Sequence, residues 1–214
     1  MSLLLDILLR NPFVAGTVIS VLMLSDLYLT RYSNRLRFKG YNDKIESEVF
    51  ELNTRQQDLI YENLPVPVKM IVFRIFAGLL VVAIFLLLSW GRDTDSFLSS
   101  PYASSYEWFI GLVILVYADT NFIHLRNVAL FKYISANPGT ITGKIRMSAR
   151  YAYFQTTIGH LGLSLLWFTS YLLTDRPIFL GGATGELFQM IFMVFWYKSY
   201  QKKKKQQEEV TSTE

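Results

Sequence analysis

Three ionisable side chains lie inside long apolar stretches of this sequence. Asp26, Asp119 and His160 are each flanked by residues that are mostly hydrophobic. A carboxylate in such a place can hold a proton or a cation. An imidazole, with an unperturbed pKa of about 6.5, can relay a proton. Because an ionised group in hydrocarbon is costly, such residues mark either an ion pathway or a buried pair.

Further polar residues recur at helical spacing beside these three. Asp26, Thr30, Ser33 and Asn34 share one face of the first predicted span. Thr156, His160 and Ser164 are four residues apart and share a face of another, and Asn127 follows Asp119 at an i, i+8 spacing. Polar stripes of this kind should face the interior of a helical bundle. The predicted substrate- or ion-binding residues are Asp26, Asp119, His160, Thr156 and Asn127.

A structural explanation competes with this site. Arg74 lies five residues inside Lys69 on the second apolar stretch, at a depth similar to that of Asp26. An Asp26–Arg74 ion pair would cost less in lipid than either charge alone, and it needs no function. His160 has a comparable alternative, as a neutral side chain that donates to a neighbouring carbonyl or hydroxyl group.

Catalytic and cofactor motifs are missing from the sequence. The chain has no cysteine, which excludes disulfides, thiolate metal sites and cysteine nucleophiles. No common nucleophile, zinc-protease or nucleotide-binding motif occurs. His124 and His160 are predicted to differ in depth by roughly 10 Å, which disfavours a shared haem. We therefore expect no enzyme and no metal site, and the sequence names no cofactor.

The elements that carry these residues are predicted to be membrane-spanning helices. Of the 214 residues, 51% are hydrophobic, and a bilayer core needs roughly 20 apolar residues as helix. We predict an all-α transmembrane domain over residues 1–201, with an interfacial helix at 1–10 and an amphipathic cytoplasmic loop at 39–65. Residues 202–214 are predicted to form a basic, then polar, disordered tail. The five predicted spans cover about 12–32, 69–90, 108–130, 151–173 and 185–200, the last being the shortest.

Basic residues predict the orientation of these spans. Of the 21 Lys and Arg residues, all but Arg10, Arg92 and Arg176 fall in the stretches 31–74, 126–150 and 198–205. By the positive-inside rule the N-terminus lies outside and the C-terminus in the cytoplasm, most simply in a plasma (inner) membrane. Lys202–Lys205 either anchor this topology or bind anionic lipid headgroups. No aromatic-interleaved basic motif indicates a nucleic-acid partner.

An internal repeat relates the first and third spans. Asp26, Asn34, Phe38 and Lys39 each align with the same residue type 93 positions later. Both spans would run from outside to inside, so spans 1–2 and 3–4 would form a parallel repeat. We therefore expect Asp26 and Asp119 to lie at the same depth, in the cytoplasmic half of the bilayer.

A short pattern carries a family resemblance. The residues DLYLT at Asp26–Thr30, then Gly40 and ELN at Glu51–Asn53, resemble a pattern in small multi-pass membrane proteins of unknown function. Thr54 stands where those proteins would have proline. The resemblance implies no activity.

Two functional hypotheses follow from these patterns. The first is a small transporter or channel-like protein for a cation, a proton or a small solute. The alternative is a non-catalytic accessory or scaffold subunit of a membrane complex. Because five spans make a thin bundle, a second copy of the chain or another membrane subunit is an expected partner under either hypothesis.

Overall fold

Helices dominate the computed structural model, which describes residues 3–48, 52, 65–137, 139 and 141–211. A π-helical turn, Arg37–Tyr41, follows the second helix, and two short strands, β1 (Ile45–Ser47) and β2 (Ile145–Met147), pair in parallel. The predicted all-α class is confirmed; the two strands were not predicted. The helices are α1 (Leu3–Arg10), α2 (Pro12–Leu36), α3 (Val68–Leu88), α4 (Thr94–Leu98), α5 (Pro101–Ala136), α6 (Ala149–Thr174) and α7 (Pro177–Thr211).

Helix starts follow local capping chemistry. The Asn11 side chain accepts hydrogen bonds from the backbone N–H groups of Phe13 (3.1 Å) and Val14 (3.2 Å), directly before α2. Asp93 accepts from the N–H of Ser96 at 2.7 Å and caps α4. These hydrogen bonds from Ser96 lower the pKa of the Asp93 carboxyl group. Proline occupies the first turn of α2, α5 and α7, where its missing N–H costs no hydrogen bond.

Four helical segments are long and apolar enough to cross a membrane, as in an integral membrane protein. They are Pro12–Lys39, Val68–Leu88, Pro101–Ala136 and Pro177–Gln206. Within the described residues α6 is not among them, although it carries the predicted fourth span. The fifth predicted span, expected to be the shortest, lies instead in a helix of 35 residues.

Helix α7 differs from the prediction at both of its ends. It begins at Pro177, whereas the fifth span was predicted to begin at about residue 185. The predicted disordered tail is helical as far as Thr211, because its Lys, Gln and Glu residues are good helix formers. Residues 212–214 lie outside the described part of the chain.

The chain divides into two compact units. The first comprises Met1–Leu29, Val66–Leu125 and Leu163–Glu186. Its core includes edge-to-face contacts among Phe85, Phe97 and Tyr106, and Leu8 and Leu9 of α1 are buried against this cluster. Helix α1, predicted to lie at the membrane interface, therefore packs on protein through these two leucines.

Within the first unit, α2 packs against two helices of opposite direction. Gly16 of α2 meets Gly78 of α3. Further along α2, the Met23 carbonyl accepts from Arg74, which lies earlier on α3, so these helices are antiparallel. The α2–α5 contacts instead advance together along both helices. Their contact pairs are Leu22 with Asn121 and Asp26 with His124.

Helix α7 packs against α5 and α6 in this unit. Trp108 and Leu112 of α5 lie against Gly181 and Gly185 of α7, so α5 and α7 are parallel. Helix α6 runs antiparallel to α7. Two contact pairs define this direction, Ser164 with Ala183 and Trp167 with Phe179.

Glycines set the distance between α5 and α7. A Cβ atom at Gly181 would collide with the Trp108 carbonyl oxygen, and one at Gly185 would lie 2.8 Å from the Leu112 carbonyl oxygen. Small residues allow this close backbone approach between membrane helices. Gly159 and Gly162 of α6 make no such contact among the described residues, since a Cβ atom at either position meets open space.

The second unit comprises Thr30–Pro65, Arg126–Gly162 and Leu187–Glu214. In it β1 pairs with β2, Ile45 opposite Ile145. Glu46 lies 3.2 Å from both Lys144 and Arg146, and the hydrogen bond from Lys144 is the main cause of the lowered pKa of its carboxyl group. This contact connects the loops that follow α2 and α5.

Two hydrogen bonds extend this connection to α6. Glu48 accepts from the backbone N–H of Ala149 at 3.0 Å, and the Tyr153 hydroxyl donates to the Leu52 carbonyl at 2.7 Å. Much of the predicted amphipathic loop 39–65 falls on residues 49–51 and 53–64, outside the described residues. The residues Glu51 and Asn53 of the family resemblance lie outside them as well.

The α5–α7 contact predicts a difference between two glycine substitutions. Gly181→Ala should lower the free energy of unfolding by about 1–3 kcal/mol, because the added methyl group forces the two helices apart. Gly159→Ala has open space and gains helix propensity, so its stability should stay the same or rise. Thermal unfolding of both purified variants in one detergent compares them. Equal midpoints would contradict the packing argument.

Candidate functional site

Asp26 and His124 are in direct contact between α2 and α5. The His124 Nε2 atom lies 3.0 Å from an Asp26 carboxylate oxygen, and both side chains are about one-fifth exposed, at 21% and 19%. A protonated imidazole gives a charge-assisted bond here, and a neutral imidazole with its proton on Nε2 can also donate. The contact can therefore persist with the imidazole either protonated or neutral.

An asparagine on α5 fixes the register of this pair. The Asn121 side-chain nitrogen donates to the Leu22 carbonyl at 2.9 Å and to the Tyr117 carbonyl at 2.7 Å. Tyr117, Asn121 and His124 are spaced i, i+4 and i+7, so one face of α5 meets α2. Asn121 is buried and joins the two helices one turn from the Asp26–His124 contact.

Arg74 occupies the neighbouring position on α3. Its guanidinium group is buried and donates to the Met23 carbonyl at 3.0 Å and to the Met70 carbonyl at 3.1 Å. Tyr117 lies within electrostatic range of both Asp26 and Arg74. The predicted Asp26–Arg74 ion pair stays a prediction, while His124 is a partner of Asp26 that the sequence argument did not select.

Asp119 has different surroundings. Its carboxylate accepts a hydrogen bond from the Trp167 indole at 2.7 Å, and that indole stacks on Phe179 with ring centroids 5.9 Å apart. Asp119 therefore links α5 to α6, and Trp167 continues the contact to α7.

The two aspartates, which the repeat places at the same depth, are not level in the packing of α2 against α5. The contacts of α5 with α2 join residues 98 or 99 positions apart, as in Asp26 with His124, whereas the repeat has an offset of 93. Asp119 precedes His124 by five residues, which is about 8 Å along the helix. Packing register rather than sequence alignment determines which residues are level.

The remaining predicted site residues belong to the second unit. His160 is buried, Thr156 donates to the Ala152 carbonyl at 2.9 Å, and Asn127 lies 3.5 Å from the Arg126 guanidinium group. Their association with the aspartates stays a prediction. The polar stripe predicted on α2 is confirmed as inward-facing, since three of its residues are buried, namely Thr30, Ser33 and Asn34.

A second charged pair in the first unit was missed by sequence reasoning. Glu107 of α5 lies 2.8 Å from the Arg176 guanidinium group, and its side chain is only 9% exposed. The two residues are far apart in sequence, so no spacing pattern connects them. The i, i+4, i+7 spacing of Tyr117, Asn121 and His124 could have revealed the α5 face that meets α2, because it is a helical stripe.

The described residues contain no group of three or more His, Asp or Glu side chains that could hold a metal ion. Comparisons of the chain with protein-family models, curated proteins and solved structures gave no match. The chemistry of the site therefore has to be argued from its own residues.

The Asp119–Trp167 bond predicts a graded response to substitution. Trp167→Phe removes the indole donor from a partly buried carboxylate and should lower the free energy of unfolding by about 1–3 kcal/mol. Asp119→Asn keeps an oxygen that can accept from Trp167, so it should cost less than Asp119→Leu, which removes the acceptor. Denaturant titrations of the three variants test this order. A loss for Asp119→Asn as large as for Asp119→Leu would show that the bond is not what stabilises this contact.

Proposed function

We propose that this chain is a small transporter or channel-like protein that binds a proton or a cation at Asp26 and His124. The supporting observation is the 3.0 Å contact between a carboxylate and an imidazole on two apolar helices. Both groups change charge by exchanging a proton, and ionisable pairs in this setting are typical of proton and ion pathways. Asp119, His160, Thr156 and Asn127 are proposed as further residues of the pathway.

The same proposal includes five spans with the N-terminus outside. Helix α6 runs antiparallel to α7 between Trp167 and Ala183, inside a unit built from apolar helices. Its outer surface is apolar, as expected for a helix that faces lipid. Its exposed large apolar residues are Tyr151, Phe154, Ile158, Leu161, Leu165, Leu166, Phe168, Leu172 and Leu173. Together with the directions of α2, α3, α5 and α7, this supports alternating passes.

Uptake at this site would begin from the cytoplasmic half of the bilayer. The polar stripe of α2 leads from Asp26 to Thr30, Ser33 and Asn34, near the end of the helix where basic residues collect. A proton arriving along this face would protonate Asp26 and weaken the ion pair with His124. Release of His124 would then permit α2 and α5 to shift relative to each other, and Asn121 would limit that movement.

Proton flux into liposomes tests the proposal. The full chain is reconstituted with a pH-sensitive dye inside, and a pH gradient is imposed with the membrane potential clamped. Flux should fall to the level of protein-free liposomes for Asp26→Asn and for His124→Gln, because each removes one titratable partner. Asp95→Asn is the matched control, since that carboxylate pairs with Arg10 at an exposed position.

Thermal stability of the same samples separates function from folding. Lost flux with an unchanged unfolding midpoint supports the site, and the same assay on Asp119→Asn and His160→Gln shows how far the pathway extends. If parent and Asp26→Asn liposomes carry equal flux, the transport proposal is overturned.

One set of contacts favours the second candidate, a non-catalytic accessory subunit. Asp119 is bonded to Trp167, Glu107 to Arg176, and Arg74 to backbone carbonyls, so several polar groups in the first unit serve packing. A parent protein without flux, together with a large stability loss in Asp26→Asn, would select this role and direct attention to a partner subunit.

A further inference from the structure

Helix α7 has one side that faces away from the protein in the second unit. Its exposed large apolar residues in this unit are Leu187, Phe188, Ile191, Phe192, Val194 and Phe195, each 46–61% exposed. On the opposite side, Met193 is buried with Ala149 and Tyr153, and Tyr197 packs on Tyr153 at 5.3 Å between ring centroids. A large apolar surface exposed on a membrane helix is the surface that contacts lipid.

Three lysines continue the exposed side beyond its last apolar residue. Lys198, Lys202 and Lys205 follow Leu187, Ile191 and Val194 at steps of three or four residues, so all six lie along one helix face. All three lysines are exposed, and α7 stays helical through them. The basic residues are therefore presented on the same side as the lipid-facing residues.

The other two lysines of the run point elsewhere. By helix geometry Lys203 and Lys204 are rotated more than about 100° from this side. Lys204 lies 4.0 Å from Glu48, on the side where α7 packs against the rest of the second unit. Lys202 and Lys205 thus lie in line with Leu187, Ile191 and Val194, whereas Lys203 lies in line with the exposed Phe192 and Lys204 lies on the packed side.

The distances from the apolar surface suit a headgroup contact. Trp196 and Tyr197 mark the end of the apolar segment, as aromatic residues do at membrane interfaces. Lys198 follows directly, and Lys202 and Lys205 lie about 6 Å and about 10 Å further along the helix. Both distances are within or close to the Debye length of about 8–10 Å in physiological salt.

We propose that Lys198, Lys202 and Lys205 bind the headgroup of an anionic phospholipid whose acyl chains lie along Leu187, Ile191 and Val194. Lys203 and Lys204 take no part in this site. The long lysine stems pack along the apolar surface while their ammonium groups meet the phosphate. The inference is independent of the proton site, since it rests on one side of α7 in the second unit.

Two double variants of equal charge test the proposal. Lys202→Gln with Lys205→Gln removes two charges that lie in line with Leu187, Ile191 and Val194, and Lys203→Gln with Lys204→Gln removes two charges outside that line. Native mass spectrometry of the full chain in detergent gives the apparent Kd for the first phosphatidylglycerol bound, with phosphatidylcholine as the zwitterionic reference. The first variant should raise the phosphatidylglycerol Kd by about fivefold or more, and the second by less than about twofold.

The outcomes separate a site from general charge attraction. Equal losses in the two variants would overturn the proposal in favour of a diffuse basic tail, and no loss in either would leave the lysines as topology anchors only. Soluble glycerol phosphate should not compete at matched concentration, because it lacks the acyl chains. Unfolding midpoints in phosphatidylcholine confirm that both variants are folded, and proton flux should be unaffected in either.

Discussion

A polar group in the hydrocarbon of a membrane has no water to bond, and leaving it unpaired costs several kcal/mol. Much of this structure can be understood from that constraint. Asp26 has His124, Asp119 has the Trp167 indole, and Glu107 has Arg176. The first two contacts each join two different helices, and the third joins α5 to the turn between α6 and α7. Satisfying the polar groups therefore also determines which helices are neighbours and at what register.

Close packing between the helices is the second requirement for these polar contacts. Polar contacts act over about 3 Å, and side chains on adjacent helices reach each other only when the backbones are held at suitable distances. Gly111 and Gly181 bring α5 and α7 together, and Gly16 and Gly78 do so for α2 and α3. The helices that carry the buried charges are thus positioned by residues that have no side chains. Without a hydrophobic driving force between helices in lipid, such packing and the polar contacts carry the association.

Properties of single segments were predictable from the sequence, and pairings between segments were not. Apolar length predicted the helices, and helical spacing predicted the buried stripe of Thr30, Ser33 and Asn34. The partner of Asp119 could not be predicted, because an indole N–H leaves no pattern in an apolar helix. The repeat alignment was misleading about depth, since packing register depends on where Asn121 and the glycines meet their neighbours. The helical continuation past Lys205 was missed because polarity was taken as a sign of disorder.

The separation of Asp26 from His124 along the chain affects how the protein is made. The two residues lie 98 positions apart, so the aspartate is synthesised well before its partner. At about 5–20 residues per second, roughly 5–20 s pass between the two. During that interval the carboxylate of α2 has to be protonated, solvated at the insertion machinery or held near α3. Arg74 of α3 is synthesised before His124, and it donates to the Met23 carbonyl of α2. The order of the helices in the chain thus requires biosynthesis to accommodate a buried charge before the fold can neutralise it.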